Sequence, residues 1–284
     1  MGSPPNNSFK PTALRGLTRV CVLPQRSGLI QVLCPFGDFT MTPEHLALLT
    51  VGIFFVAILY SSVGHAGASG YIAVMSILSV APASIKPTAL ILNILVASIG
   101  TFQYWRAGHF SWRLFWPFAL LSVPLAFVGG YVNLPTHTFK VIVGIILLCS
   151  AVLLLLRPPG ETNAVEPPRP LAITFGAGIG LLSGLTGTGG GIFLTPLLLF
   201  MHWAKAKPAA AVSALFILLN SISGLAGNMS STRQFPTFAL VLVAAAGIGG
   251  VVGSYYGSRR FDPVLIKRAL AVVLLIAGTK LILT

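Results

Sequence analysis

Long apolar runs alternate with short polar connections from Leu46 to the end of the chain. A membrane-spanning helix needs about 20 apolar residues, and most of these runs approach that length. The first half contains apolar segments at 46–59, 71–79, 88–104, 114–131 and 139–156, and the second half at 171–182, 191–201, 209–226, 238–256 and 264–283. The pattern predicts an all-α polytopic membrane protein with about five helical elements in each of two homologous halves.

Glycine-rich stretches interrupt the first apolar region of each half. Residues 61–70 read Ser-Ser-Val-Gly-His-Ala-Gly-Ala-Ser-Gly, and residues 183–191 read Ser-Gly-Leu-Thr-Gly-Thr-Gly-Gly-Gly. Helices do not run comfortably through such stretches, and unpaired backbone at membrane depth is tolerated where it is buried in protein or lines a cavity. Paired breaks of this kind predict half-helices that meet at a ligand site. The alternative is that these glycines allow close helix packing.

The order of features in the first half repeats in the second. Lys86-Pro87 and Lys207-Pro208 each open a helix just after the broken pair, a position that suits proline. If each broken pair returns to its starting side, the two halves are inverted relative to each other. One side then collects Arg106, Arg113, Arg157, Arg169, Lys205, Lys207, Arg259, Arg260, Lys267 and Arg268, and the other collects Lys86, Lys140, Arg233 and Lys280. This asymmetry obeys the positive-inside rule and favours inverted repeats.

The segments and their connections divide the chain into four parts. Residues 1–40 are basic and lack a long apolar run, so we expect a disordered or non-native leader, with Met41 as the natural start. Residues 41–156 form the first transmembrane repeat, 157–170 a proline-rich linker and 171–284 the second repeat.

Composition supports a membrane protein. Apolar residues make up 55% of the chain and charged residues 8%, against about a quarter in soluble domains. The net charge of +13 suits cytoplasmic loops and predicts no nucleic-acid partner. We therefore expect a multi-pass protein of the bacterial inner membrane, surrounded by the lipid bilayer.

These residues resemble the TauE/SafE family of membrane permeases, also called sulfite exporters. The resemblance is carried by the glycine-rich break that opens each half, the second reading Gly-Leu-Thr-Gly-Thr-Gly-Gly-Gly, and it covers roughly residues 44–283. It implies transport of sulfite, sulfoacetate, thiosulfate or another sulfur-containing or organic anion. The first break departs from the denser glycine run of many members, which leaves the particular anion open.

Few residues in the apolar body can carry charge. No acidic residue lies within the apolar segments, which argues against a cation or metal site. Glycine N–H groups, hydroxyls and helix N-termini suit an oxyanion instead. The predicted substrate-binding residues are Gly64, His65, Gly67, Ser69, Gly70, Asn93, Thr186, Gly187, Thr188, Gly189, Gly190, Gly191 and Asn220.

Several of these residues also have structural interpretations. His65 can add positive charge or pass a proton near neutral pH, or it can bond to backbone at a helix end. The hydroxyls of Ser69, Thr186 and Thr188 can cap helices. Asn93 and Asn220 either bond across helices or line a pathway. Lys86 and Lys207 are expected to extend to the membrane interface, with the gathering of anions at the mouths of the pathway as the alternative.

The predicted function is a secondary transporter for a small anion bound between the two breaks, with a channel-like anion pore as the alternative. Motifs for enzyme catalysis are absent from the sequence, so we expect no catalytic residue, cofactor or metal. A proton is the candidate coupling ion. The oligomeric state stays open, a homo-oligomer included.

Overall fold

The computed structural model describes residues 43–62, 64–132, 165–232 and 239–259, together with isolated positions between 135 and 152 and between 275 and 283. Within these ranges the chain forms helices joined by short connections, and the described residues contain no strand. The leader, most of the linker and most of the predicted segments 139–156 and 264–283 lie outside the described residues.

Eight helices make up the described part of the chain. They are α1 Pro43–Ser61, α2 Ala68–Ile77, α3 Pro82–Arg106, α4 Trp112–Tyr131, α5 Arg169–Thr186, α6 Gly191–Phe200, α7 Ala206–Thr232 and α8 Ala239–Arg259. Each corresponds to one predicted apolar segment. Helices α3 and α7 begin before their predicted segments and take in the two Lys-Pro pairs. Pro208 lies in the first turn of α7, where proline is tolerated. Pro87 lies inside α3, more than one turn beyond its start at Pro82, so our expectation that Lys86-Pro87 opens a helix is wrong. Helix α5 begins at Arg169, inside the predicted linker.

Five of the described helices are long and apolar enough to cross a membrane. The spans are Glu44–Ser61, Ala83–Arg106, Trp112–Tyr131, Lys207–Thr232 and Ala239–Tyr256. The polypeptide is therefore a multi-pass membrane protein. Helices α2 and α6 are each 10 residues long, too short to span the hydrocarbon core of a bilayer.

The helices pack in corresponding ways in the two halves. Helix α1 packs against α8 and α4 against α5, while α3 contacts α8 and α4 contacts α7. The two long helices α3 and α7 also pack against each other. If each helix is exchanged with its counterpart in the other half, α1 with α5 through α4 with α8, the list of contacting helix pairs stays the same.

Glycines at four-residue spacing bring α5 against α4. A Cβ on any of these glycines would meet a backbone carbonyl oxygen of α4; the pairs are Gly176 with Phe118, Gly180 with Ser122 and Gly184 with Ala126. Small residues at this spacing allow the close backbone approach that favours helix association in membranes. In the glycine-rich stretch 183–191, Gly184 therefore serves close helix packing, as the alternative interpretation of these glycines proposed.

Lys86 is buried, and our expectation that it extends to the membrane interface is wrong. Its Nζ donates to the carbonyl oxygens of Gly129, Gly130 and Val132, at 3.2, 3.0 and 3.2 Å. These carbonyls end α4, where unpaired acceptors and the negative end of the helix dipole favour a cation. The corresponding Lys207 is exposed.

Contacts between the connections show which of them lie at the same end of the bundle. Arg113, at the start of α4, pairs with Glu166 at 3.2 Å on the surface. The backbone N–H of Val165 donates to the carbonyl of His202, at 2.8 Å, in the connection between α6 and α7. The connection between α3 and α4, the start of α5 and the connection between α6 and α7 therefore lie at the same end.

Candidate functional site

Two glycine loops with similar backbones separate α1 from α2 and α5 from α6. In the first loop Gly64 and Gly67 have φ angles of +80° and +105°, and in the second loop Gly187 and Gly190 have +76° and +81°. Only glycine adopts these angles without strain. In each loop the second glycine of the pair is the N-cap residue of the short helix that follows.

The two loops contact each other. The ring Nε2 of His65 lies 3.1 Å from the carbonyl oxygen of Gly191, the first residue of α6. Because a carbonyl oxygen only accepts, Nε2 carries a hydrogen and donates it. This bond joins the loop of the first half to the short helix of the second.

Each loop also lies against a long helix of the other half. A Cβ at Gly64 would collide with Ala210 of α7. A Cβ at Gly187 would lie 3.1 Å from Cγ and 3.2 Å from the carbonyl oxygen of Lys86, on α3. The two loops are therefore held between α3 and α7.

A small cavity of about 10 Å³ lies between the loops. Its walls are Tyr60, His65, Ala66, Gly67, Ala68, Ser69, Thr188, Ile192 and Ile217. This space is on the order of one water molecule. A sulfur oxyanion is larger than a water molecule, so the walls of the cavity would have to move apart to admit the anion.

The short helices begin at this cavity without side-chain caps. Glycine is the N-cap residue of both α2 and α6, so neither N-cap offers a side chain to bond the first N–H groups of its helix. The first residues of both helices are buried, with Ser69 at 3% and Ile192 at 6% exposure. The first N–H groups of a helix lack partners within the helix, so these starts present unpaired donors and a positive dipole end.

The hydroxyls of the loops bond to one another and to helical carbonyls. Ser69 Oγ donates to Tyr60 Oη at 2.8 Å, and Thr186 Oγ1 donates to the carbonyl of Leu182 at 2.7 Å. The hydroxyl oxygens of Thr186 and Thr188 are 3.0 Å apart. None of these three hydroxyls caps a helix in this conformation, so those of Ser69 and Thr188 remain at the cavity wall.

Asn93 connects the middle of α3 to the second loop. Its Nδ2 donates to the carbonyl of Thr188 at 3.4 Å and to Ser221 Oγ, on α7, at 3.3 Å. A Cβ at Gly189 would lie 2.6 Å from this nitrogen and 3.0 Å from Ser221 Oγ. The second loop thus passes close to both long helices near their centres.

Two other predicted site residues lie in helix contacts. Asn220 Oδ1 accepts a hydrogen bond of 2.9 Å from Ser122 Oγ, across the contact between α7 and α4. A Cβ at Gly70 would meet Val56 at 2.5 Å and Tyr60 at 2.7 Å. Neither Asn220 nor Gly70 contributes to the cavity wall.

Several fully buried polar atoms have no hydrogen-bond partner. Among them are Asn93 Oδ1 and Ser183 Oγ, both on side chains at 0% exposure. Ser183 lies beside the start of α6, since a Cβ at Gly190 would be 3.3 Å from its Cβ. Buried polar groups are nearly always paired with protein or ordered water, so these atoms, unpaired within the described part of the chain, are positions where a polar partner would be favourable.

Tyr60 and Ser183 were not among the predicted site residues. Each stands at the boundary between an apolar run and a glycine-rich stretch. A polar side chain at such a boundary is the sequence signal that would have included them.

A larger groove elsewhere does not suit a polar ligand. It has a volume of about 450 Å³, lies between α3 and α8, and is lined by apolar residues such as Leu95 and Val243. The described residues also contain no group of three histidine, cysteine or acidic side chains placed to hold a metal ion.

Comparisons with known proteins place most of the chain in one family. The family description "Sulfite exporter TauE/SafE" matches residues 49–281. The "Probable membrane transporter protein y4hK" of Sinorhizobium fredii is 39% identical over 239 residues, which cover 82% of this chain and 97% of that protein. The "Probable membrane transporter protein YunE" of Bacillus subtilis is 26% identical over 216 residues, covering 69% of this chain and 79% of the relative.

A plant relative extends the similarity. The "Sulfite exporter TauE/SafE family protein 3" of Arabidopsis thaliana is 26% identical over 166 residues, covering 58% of this chain and 32% of that protein. No solved structure matches the chain.

Proposed function

The chain belongs to the sulfite exporter TauE/SafE family of membrane transporters, and we propose that it is a secondary transporter for a small sulfur-containing or organic anion. The family consists of transporters rather than enzymes. The observation that carries the proposal is the pair of buried, uncapped helix starts at one cavity. Such starts bind anions through their N–H groups and dipoles.

The anion is proposed to bind between the two loops. N–H groups at the starts of α2 and α6 would donate to its oxygens. The hydroxyls of Ser69 and Thr188 line the cavity and bond to Tyr60 and Thr186 in the described conformation, and they would turn to donate to the anion. Each helix dipole contributes about 0.3–1 kcal/mol to anion binding at an exposed site and up to about 2 kcal/mol at a partly buried one. Asn93 holds the second loop through the carbonyl of Thr188.

The proposal includes two halves of the chain that are inverted relative to each other. Each half contains a broken helix, which either re-enters or spans the membrane. The exchangeable helix contacts and the matching φ angles of the glycine pairs support two structurally equivalent halves. Inverted repeats with broken helices at the substrate site are a recurrent design of secondary transporters. Because Ile217, near the middle of α7, lines the cavity and Asn93, near the middle of α3, bonds to the carbonyl of Thr188, a midplane position is part of the same proposal.

The small cavity favours a carrier mechanism. Its volume of about 10 Å³ excludes an oxyanion from the described conformation, so the loops must separate during a cycle. The His65–Gly191 bond joins the two loops and would break or shift in that step. His65 is also the candidate group for proton coupling, since histidine changes charge near neutral pH.

Uptake by purified protein in liposomes of bacterial lipid tests the proposal. The substrate panel contains radiolabelled sulfite, thiosulfate, sulfoacetate and sulfate, with protein-free liposomes as the control. We expect saturable uptake of at least one of these anions, accelerated by the same unlabelled anion on the opposite side. Uptake that grows linearly with concentration and shows no such exchange would indicate the channel-like pore, and no uptake of any anion would contradict the proposal.

A further inference from the structure

The described wall of the cavity carries no lysine or arginine. Its side chains are apolar groups, two hydroxyls, the Tyr60 phenol and the His65 imidazole. His65 donates Nε2–H to the carbonyl of Gly191, which a neutral imidazole does as well as a cationic one. The wall therefore needs no full positive charge to form the contacts that it shows.

The two helix starts supply partial charges instead. Helices α2 and α6 both begin at the cavity, and each N-terminus is equivalent to roughly +0.5 elementary charge. Together they provide about one positive charge. Ser183 Oγ, fully buried beside the start of α6, has no partner among the described residues, so a polar ligand at this helix start would gain a hydrogen bond from it.

Lys86 lies near the second loop, but its ammonium group bonds to α4 and not to the cavity wall. Its side chain passes Gly187, and its ammonium group donates to three carbonyls at the end of α4. A lysine has three N–H donors, so these bonds use all of them. The negative end of the α4 dipole offsets this charge further.

We infer that the site accepts a singly charged oxyanion, such as a sulfonate or hydrogensulfite, in preference to a doubly charged one; this rests on the proposed function. The cost of removing an ion from water rises with the square of its charge, whereas its attraction to fixed dipoles rises in direct proportion. About one positive charge from two helix starts balances a monoanion. A dianion in the same place leaves one charge unbalanced.

Three probes of fixed charge separate charge from size. Methanesulfonate and sulfate are both tetrahedral at sulfur and similar in size, but they carry one and two negative charges. Methyl sulfate carries one charge and is larger than sulfate. Uptake of each labelled anion is measured in proteoliposomes at about pH 8, where an ordinary histidine is neutral, and uptake into protein-free liposomes is subtracted.

We expect uptake of methanesulfonate and methyl sulfate to exceed that of sulfate at least about tenfold, which corresponds to about 1.4 kcal/mol. Sulfate uptake equal to or above methanesulfonate uptake would overturn the charge preference and leave the proposed anion transport standing. Methanesulfonate uptake with rejection of both methyl sulfate and sulfate would add a size limit and leave the charge preference standing, because sulfate is similar in size to methanesulfonate. Failure of all three anions, and of the sulfur anions in the first panel, would overturn the proposed function itself.

Discussion

Single residues in the second loop have two separable roles. Gly187, Gly189 and Gly190 all have φ angles between +75° and +81°, where a side chain costs roughly 1–2 kcal/mol of strain. Thr188, between them, contributes its side chain to the cavity wall. A substitution of a glycine changes the shape of the loop, whereas a substitution of Thr188 can remove a donor and leave the shape unchanged.

Thr188→Val tests the donor role at the residue scale. Valine has nearly the same shape as threonine and lacks the hydroxyl, so one hydrogen bond to the anion is lost. We expect the apparent KM for the transported anion to rise about 10–100-fold, as for the loss of one hydrogen bond of about 1.5–3 kcal/mol to a charged group, while protein abundance stays close to that of the wild type. The measurement is concentration-dependent uptake in proteoliposomes.

Thr174→Val is the matched control, because Thr174 is exposed on α5 and bonds to the carbonyl of Pro170 in its own helix. The control should retain the wild-type KM. An equal KM for Thr188→Val and the wild type would remove Thr188 from the anion site.

At the scale of single elements, two features hold α4 in place. Lys86 binds the carbonyls at its C-terminus, and glycines of α5 fit against its backbone. The Lys86 contacts also tie the end of α4 to the N-terminal part of α3, next to the second loop. The packing of α4 therefore depends on buried Lys86 and on the glycines of α5. Each of these features can be tested against a control substitution at a similar but exposed position.

Lys86→Met should destabilise the protein by roughly 2–4 kcal/mol, since three buried carbonyls lose a charged donor. Lys207→Met alters the equivalent but exposed lysine and should change stability by less than about 0.5 kcal/mol. Thermal unfolding in detergent, followed by loss of the monodisperse peak in size-exclusion chromatography, compares the two variants. Equal melting temperatures would show that the Lys86 bonds contribute nothing to stability.

Gly180→Ala and Gly178→Ala separate the two sides of α5. A methyl group at Gly180 would meet the backbone carbonyl of Ser122, so α4 and α5 must move apart and the melting temperature should fall. Gly178 has nothing within 4 Å of its added Cβ, and alanine there should raise helix stability by up to about 1 kcal/mol. The opposite order of melting temperatures would contradict the described contact between α4 and α5.

At the scale of the whole molecule, hydropathy alone predicted the helical segments that the structure describes. The Lys-Pro pairs also marked the starts of α3 and α7 to within a few residues. The different environments of Lys86 and Lys207 could not be predicted, because each depends on which distant backbone lies opposite. Tyr60 was missed although the sequence carries a signal for it, because it is a polar side chain at the end of an apolar run and bonds to Ser69, only nine residues away.

The arrangement of the connections predicts which of them face the same side of the membrane. The connections containing Ala107 and Lys205 lie at one end of the bundle, and the turn containing Ser79 joins α2 to α3 at the other. In a cysteine-free background, Ala107→Cys and Lys205→Cys should react with a membrane-impermeant thiol reagent from the cytoplasmic side, and Ser79→Cys from the opposite side. Labelling of Ala107→Cys and Lys205→Cys from opposite sides would contradict the inverted arrangement.

The central claim is that the anion passes between the two glycine loops, and uptake by Gly190→Val tests it most directly. A Cβ at Gly190 would lie 2.9 Å from Phe216 and 3.0 Å from Ile179, at a φ of +81°, so valine must displace the start of α6. Gly178→Val, on the open side of α5, is the control. In proteoliposomes made from protein that elutes like the wild type, we predict no uptake above background for Gly190→Val and near-wild-type uptake for Gly178→Val. Wild-type uptake by Gly190→Val would contradict the account, because the anion would then not depend on the start of α6.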